Sequence, residues 1–181
     1  EKIDKHKKGK SYISSINSTS IKNALSKNIK FESDYSNIGI LDAIIICLPT
    51  PLNKYREPNL NYIIDALNQM LKFFRKGQII SLESTTYPGT TEEVISIKLE
   101  SQNFKIGKNF FITYSPERED PGNKDYSTQT IPKLIGGITS NCLDVGQELY
   151  KPAINLMVPM SSTKAAEMTK LLENIYRSVN V

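Results

Sequence analysis

Cysteine and histidine are scarce. Cys47 and Cys142 stand far apart, no CxxC occurs, and the single His6 sits in a lysine-rich stretch. With no metal-ligand spacing, a structural zinc site is not expected. Long apolar runs are also missing. The longest, Ala43 to Leu48, is the length of a strand, whereas a bilayer span needs about 20 residues. No signal-peptide pattern opens the chain, so a cytoplasmic setting with no membrane contact is expected. Repeats and low-complexity segments are absent, and no GxGxxG turn occurs anywhere. What remains is an ordinary globular composition, 39% hydrophobic and 23% charged over 181 residues. That length suits one domain with perhaps the start of a second.

Charge is unevenly placed. Residues 1–30 carry a formal +6 and the remainder −2. A basic segment can touch nucleic acid, but no aromatic platform is interleaved with these lysines, so a solvated face is the better reading and no nucleic-acid partner is expected. Asn17-Ser18-Thr19 matches a glycosylation acceptor, which a cytosolic protein would not use.

Along the chain, strand signals alternate with helix signals. Lys2 to Lys8 and Ile21 to Lys27 read as short helices, the first stopped by Gly9, and Ile29 to Ser33 as a short strand. Asp42 to Leu48 is a continuous apolar run closed by Pro49, which suits a strand buried on both faces of a parallel sheet. Leu60, Ile63, Ile64, Leu67, Leu71 and Phe74 recur at helical spacing up to Gly77. Strands are expected at Gln78 to Glu83, Asn109 to Tyr114, Lys133 to Ile135 and Ile154 to Val158. Helices are expected at Thr90 to Leu99, with Thr90 as N-cap, at Asn141 to Tyr150, and from Ser162 to the chain end. Strands joined by crossover helices predict an α/β, doubly wound parallel sheet, whose ligands bind at the carboxyl ends of the strands.

That rule singles out four segments. Pro49-Thr50-Pro51 is a stiff turn over which a flat ligand can lie. Glu83 to Thr91 offers hydroxyls, Thr85 and Thr86 among them, and a helix N-terminus whose N–H groups favour an anion. Ser115 to Gly122 is a charged loop after an apolar strand, where the carboxylate of Glu117 can serve as a general base. In the last helix Thr163, Glu167, Lys170, Asn174 and Arg177 form a polar stripe, while Ala165, Ala166, Met168, Thr169, Leu172, Ile175, Tyr176 and Val179 are the residues expected to pack. Lys170 and Asn174, four apart, point the same way and can clamp one oxyanion. Each segment also has a plain structural reading: a rigid loop, capping chemistry, a solvated turn, and an exposed helix face with a Glu173–Arg177 pair.

Together the stretches Ile46-Cys-Leu-Pro-Thr-Pro-Leu52, Leu82-Glu-Ser-Thr-Thr-Tyr-Pro-Gly-Thr-Thr-Glu-Glu93, Ser115-Pro-Glu-Arg-Glu-Asp-Pro-Gly-Asn123 and Lys170-Leu-Leu-Glu-Asn-Ile-Tyr-Arg177 resemble the UDP-glucose/GDP-mannose dehydrogenase family. The likeness is strongest to its UDP-N-acetylglucosamine 6-dehydrogenase branch, and it is collinear over essentially the whole chain. It implies a Rossmann-like sheet lacking its first strand-turn-helix unit and ending in an interdomain helix. Residues 1–160 would be a partial NAD-binding domain and 161–181 the start of that helix and of a middle domain. It also implies NAD as cofactor and a UDP-N-acetylhexosamine as substrate, oxidised at its 6-hydroxyl to the uronic acid, in a homodimer or higher assembly serving polysaccharide biosynthesis. Thr50 and Pro51 would contact NAD. Thr85 would lie near the nicotinamide and help hold a catalytic water. Glu117 would activate water, Lys170 and Asn174 would stabilise the charged oxygen, and Arg118 and Glu119 would lie along the nucleotide-sugar.

The family's reaction consumes two NAD per substrate and passes through a cysteine thioester that water then releases. Departures from the pattern are specific. Pro121 stands where relatives acting on UDP-glucose carry a second glutamate, a feature of the amino-sugar branch. Neither the glycine turn nor a cysteine beyond the Lys170–Asn174 helix is in the sequence, and Cys47 and Cys142 replace neither. The expectation is a fragment lacking about 30 residues in front and a substrate domain behind, inactive in isolation. Two other readings stay open: a hydroxyacid dehydrogenase of the 6-phosphogluconate type, which shares Lys-x-x-x-Asn, and a non-catalytic nucleotide-binding module.

Overall fold

The computed structural model describes residues 1–13, 16–118 and 131–180. They form two compact units, residues 1–37 and 38–181. The first holds helices α1 (Lys2–Lys7) and α2 (Ser18–Ser26). Gly9 stops α1 at φ +69°, a left-handed conformation that costs glycine nothing. Asn17 is the N-cap of α2, its side-chain oxygen accepting from Ser20 N at 2.8 Å, so its role here is to start a helix. His6 belongs to the core of this unit. Its ring lies 4.7 Å from that of Tyr12 and 4.8 Å from that of Phe31, and Nδ1 donates to Lys10 O at 3.1 Å. Ile29 to Ser33, expected as a strand, is irregular. A β segment holds its shape only by pairing, and no strand pairs with it among the described residues.

The second unit is built on a five-stranded sheet in the order β1 (Ala43–Ile46), β2 (Gln78–Leu82), β3 (Phe110–Tyr114), β4 (Lys133–Gly137), β5 (Met157–Pro159). The first three run parallel. Helix α3 (Asn61–Met70) joins β1 to β2, and a π-helical turn (Thr91–Ser96) running into α4 (Ile97–Glu100) joins β2 to β3. Ile63, Leu67, Ile80, Leu82, Ile95, Leu99, Phe110 and Ile112 are fully buried and make the core beside these strands.

The sheet departs from the parallel expectation at β4, which runs antiparallel to β3. The reason is local. Arg118 Nη1 reaches Pro132 O at 2.9 Å and Lys133 Nζ lies 3.5 Å from Ser115 O. β4 therefore starts at the carboxyl end of β3, and a strand returning from the end where its neighbour finished runs antiparallel to it. β5 pairs parallel to β4 after helix α5 (Ser140–Tyr150). β1 is also not buried on both faces, since Ile44 and Ile46 are buried while Ile45 is 46% exposed. As the outer strand of this sheet it alternates where a central strand would not.

Helix α6 (Thr163–Asn180) closes the unit. It starts hard against β4, where a Cβ on Gly136 would lie 2.4 Å from Ser162 O. Its orientation matches the expected one in part: Ala166 is fully buried, as expected. Thr163 and Glu167 are fully buried and Lys170 nearly so, whereas Met168, Leu172, Ile175, Tyr176 and Val179 are all at least half exposed. The first half of the polar stripe, from Thr163 to Lys170, is the inward face together with Ala166, and Arg177 at its far end is exposed. Among the described residues no helix is long and apolar enough to cross a membrane.

Candidate active site

The carboxyl ends of β1, β2 and β3 bring the segments at Thr50, Thr85 and Glu117 to one sheet edge. The first two are tied directly: Thr50 Oγ1 donates to Thr85 O at 2.6 Å, and Leu48 N donates to Ser84 Oγ at 2.9 Å. The residues after β1 and β2 are thus one crosslinked turn pair, with Pro51 and the Thr85 side chain facing outward. At the third strand end Ser115 N donates to Leu82 O at 3.0 Å, and Ser115 Oγ to Leu134 O at 2.7 Å. This seats the Pro116–Glu117–Arg118 segment above β2 and β4.

Helix α6 reaches this edge through Lys170, whose Nζ donates to the main-chain oxygen of Glu117. Burial pushes the Lys170 ammonium below its ordinary 10.5, against the pull of Glu173. Arg118 is held to the same helix by an ion pair with Glu173 through Nη2 and Oε1, while its own N–H donates to Glu117 Oε1 at 2.7 Å. The Glu117 carboxylate is exposed and Asn174 half-buried, one turn beyond Lys170. Pro116, Glu117, Arg118, Ile131, Pro132, Lys133 and Ile154 line a small cleft here. Thr50, Thr85, Glu117, Arg118 and Lys170 are therefore linked through this edge, whereas Glu119, with Pro121 and Gly122, lies outside the described residues.

The helix N-terminus after β2 does not stand free for an anion. Gly89 N donates to Glu167 Oε2 at 2.5 Å, Thr91 N to Oε1 at 2.9 Å, and Thr91 Oγ1 to Oε1 at 2.6 Å. Thr90, expected as the cap, instead turns its hydroxyl back to Tyr87 O at 2.7 Å. A carboxylate from α6 occupies the place where a ligand anion would sit. Burial raises the Glu167 carboxyl above its ordinary 4.5, its hydrogen bonds working the other way.

Beneath the strand ends lies a cluster that no sequence motif announced. Lys133 Nζ pairs with Glu83 Oε1 at 3.0 Å, both largely buried. Tyr150 OH donates to the same oxygen at 2.7 Å and lies 2.7 Å from Ser81 Oγ. Lys133 Nζ also stands 4.8 Å from the Tyr150 ring centre. Cys47 Sγ donates to Glu83 Oε2 at 3.5 Å. The thiol is pushed up to about 11 by its low-polarity surroundings and by the Glu83 carboxylate, so it stays protonated at neutral pH. The one signal in the sequence is charge at strand ends: Glu83 follows and Lys133 opens an apolar strand.

A mostly parallel α/β sheet with these segments at the carboxyl ends of its strands, and a lysine-bearing helix folded against them, is the arrangement of a ligand-binding doubly wound domain. The chain belongs to the UDP-glucose/GDP-mannose dehydrogenase family, whose NAD binding domain matches residues 1–154. Protein CapL of Staphylococcus aureus is 37% identical over 156 residues, 85% of this chain and 37% of that protein. UDP-N-acetyl-D-glucosamine 6-dehydrogenase of Salmonella typhi is 34% identical, over 84% of this chain and 36% of the relative. The solved UDP-D-ManNAc dehydrogenase from Pyrococcus horikoshii superposes with a TM-score of 0.90 at 28% identity, covering 99% of this chain and 43% of that one. The chain spans little more than a third of the length of the curated relatives it matches.

Proposed function

We propose that this chain is the NAD-binding part of an enzyme that oxidises the 6-hydroxyl of a UDP-N-acetylhexosamine to the carboxylate, acting in the cytoplasm. Residues 1–160 form the cofactor-binding part, and 161–181 begin the helix leading to the next domain. The observation that carries this reading is the contact from Lys170 to the Glu117 carbonyl. It holds a cation from the last helix against the loop that bears the exposed carboxylate of Glu117. Relatives named for UDP-N-acetyl-D-glucosamine and UDP-N-acetyl-D-mannosamine supply the substrate class.

The chemistry of the strand ends fits NAD in part. Thr50, Pro51 and Thr85 offer a hydroxyl-rich, stiff surface suited to the nicotinamide end. The pyrophosphate has no seat at Gly89–Thr91, because Glu167 fills it. NAD, when bound, accepts hydride from the sugar carbon. Lys170 and Asn174 stabilise the charged oxygen of the sugar, and Arg118 and Glu119 bind the nucleotide-sugar; in the later hydrolysis, not in the hydride transfer, Thr85 orients water and Glu117 takes its proton. The test is NADH formation by the full-length protein with UDP-N-acetylglucosamine and UDP-N-acetylmannosamine. Two NADH per substrate is expected, and none with either sugar would overturn the reading.

A further inference from the structure

Glu167 is a fully buried carboxylate with no part in the steps above. It sits one helical turn before Lys170, on the same inward face of α6. Both its oxygens are engaged by the segment that follows Thr85: Gly89 N on Oε2, and Thr91 N and Oγ1 on Oε1. That segment is pinned at its other end by Leu48 N on Ser84 Oγ and by Thr50 Oγ1 on Thr85 O. Gly89 presents its N–H at φ +107°, a conformation other residues rarely adopt, and a Cβ there would meet Glu93 Oε1 at 2.8 Å. Thr85 therefore stands on a span fixed at one end to β1 and at the other to the helix that carries Lys170.

We propose that Glu167 is a positioning residue, a carboxylate clamp that sets the Thr85 segment in register with Lys170 across the sheet edge. A capping side chain drawn from the next residues, Thr90 for instance, would stabilise the helix equally well without tying it to α6. A carboxylate from 76 residues away does both. It also needs both oxygens as acceptors. Glutamine keeps the shape, but its amide nitrogen must then face either Gly89 N or Thr91 N, donor against donor.

Because this role presupposes the dehydrogenase reading, its test has an arm independent of activity. In full-length Glu167→Gln, amide hydrogen exchange at Gly89 and Thr91 should speed up by about tenfold or more. Unchanged protection at both would overturn the clamp. With NAD and UDP-N-acetylglucosamine, kcat should fall by about tenfold or more while both KM values stay within about twofold, as for a misplaced catalytic group. In a Thr85→Ala background the same substitution should cost less than about twofold, since the group being positioned is gone. A full loss in that background would show that Glu167 does not act through the Thr85 segment. Should Glu167→Gln not fold, Thr91→Val removes one donor and keeps the carboxylate. It should lower kcat about threefold at unchanged KM, and an unchanged kcat would overturn the proposal. A wild type that forms no NADH ends the catalytic half of the proposal, while the exchange arm still decides the clamp.

Discussion

Lys170 donates from Nζ to the main-chain oxygen of Glu117, joining positions 53 residues apart in the chain. The contact leaves the Glu117 carboxylate exposed and brings an ammonium, largely stripped of water, to the loop beside it.

A cation held there contributes most to an oxygen whose charge develops during reaction. Lys170→Ala in the full-length enzyme should lower turnover about a hundredfold to a thousandfold while UDP-sugar affinity changes little. Asn174→Ala should act in the same direction but less, since it removes a neutral donor. Steady-state kinetics beside a binding assay checks both, and normal turnover in Lys170→Ala would remove the lysine from the mechanism.

Burial lowers the Lys170 pKa below 10.5. The clamp requires the protonated form, so turnover should decline with rising pH before that value is reached. Arginine stays charged throughout. The alkaline limb of the kcat profile should therefore move upward in Lys170→Arg, and a limb that does not move belongs to another group.

Glu117→Gln should slow release of the carboxylate product more than the first oxidation. The first hydride transfer does not need an activated water, whereas the last hydrolysis does. Rapid-quench measurement should show a covalent intermediate accumulating. Loss of the first NADH instead, with no intermediate, would reverse the assignment.

Cys47 is surface-accessible, yet burial of its sulfur and the Glu83 carboxylate push its thiol up to about 11. Since the thiolate is the nucleophile, alkylation by iodoacetamide at pH 8 should be much slower than for a free cysteine. Glu83→Gln should accelerate it by removing the carboxylate that opposes ionisation. Equal rates in wild type and variant would show that Glu83 has no hold on the thiol.

Lys133→Met should destabilise the fold by about 3–5 kcal/mol, because it strands the Glu83 carboxylate among buried groups. Lys133→Met with Glu83→Gln should recover part of that loss. Urea unfolding midpoints measure both, and a single variant as stable as wild type would show that water already reaches Glu83.

The sequence by itself determined the strand-helix alternation and the carboxyl-end segments. Apolar runs such as Ala43 to Leu48 and Phe110 to Tyr114 have few places to go but a sheet, and Gly9 and Gly77 stop their elements through backbone conformation alone. Those signals are local, so they survive being read one residue at a time. Three features were decided only by tertiary structure. β4 runs antiparallel because Arg118 and Lys133 bring the chain back at the carboxyl end of β3. α6 buries Thr163, Glu167 and Lys170 and exposes Leu172 and Tyr176, against its amphipathic pattern, because donors on a distant loop satisfy the carboxylate. The Glu83–Lys133–Tyr150 cluster joins three elements. A buried charge is tolerable only beside its partner, and partners 50 or more residues away leave no periodicity for the sequence to show.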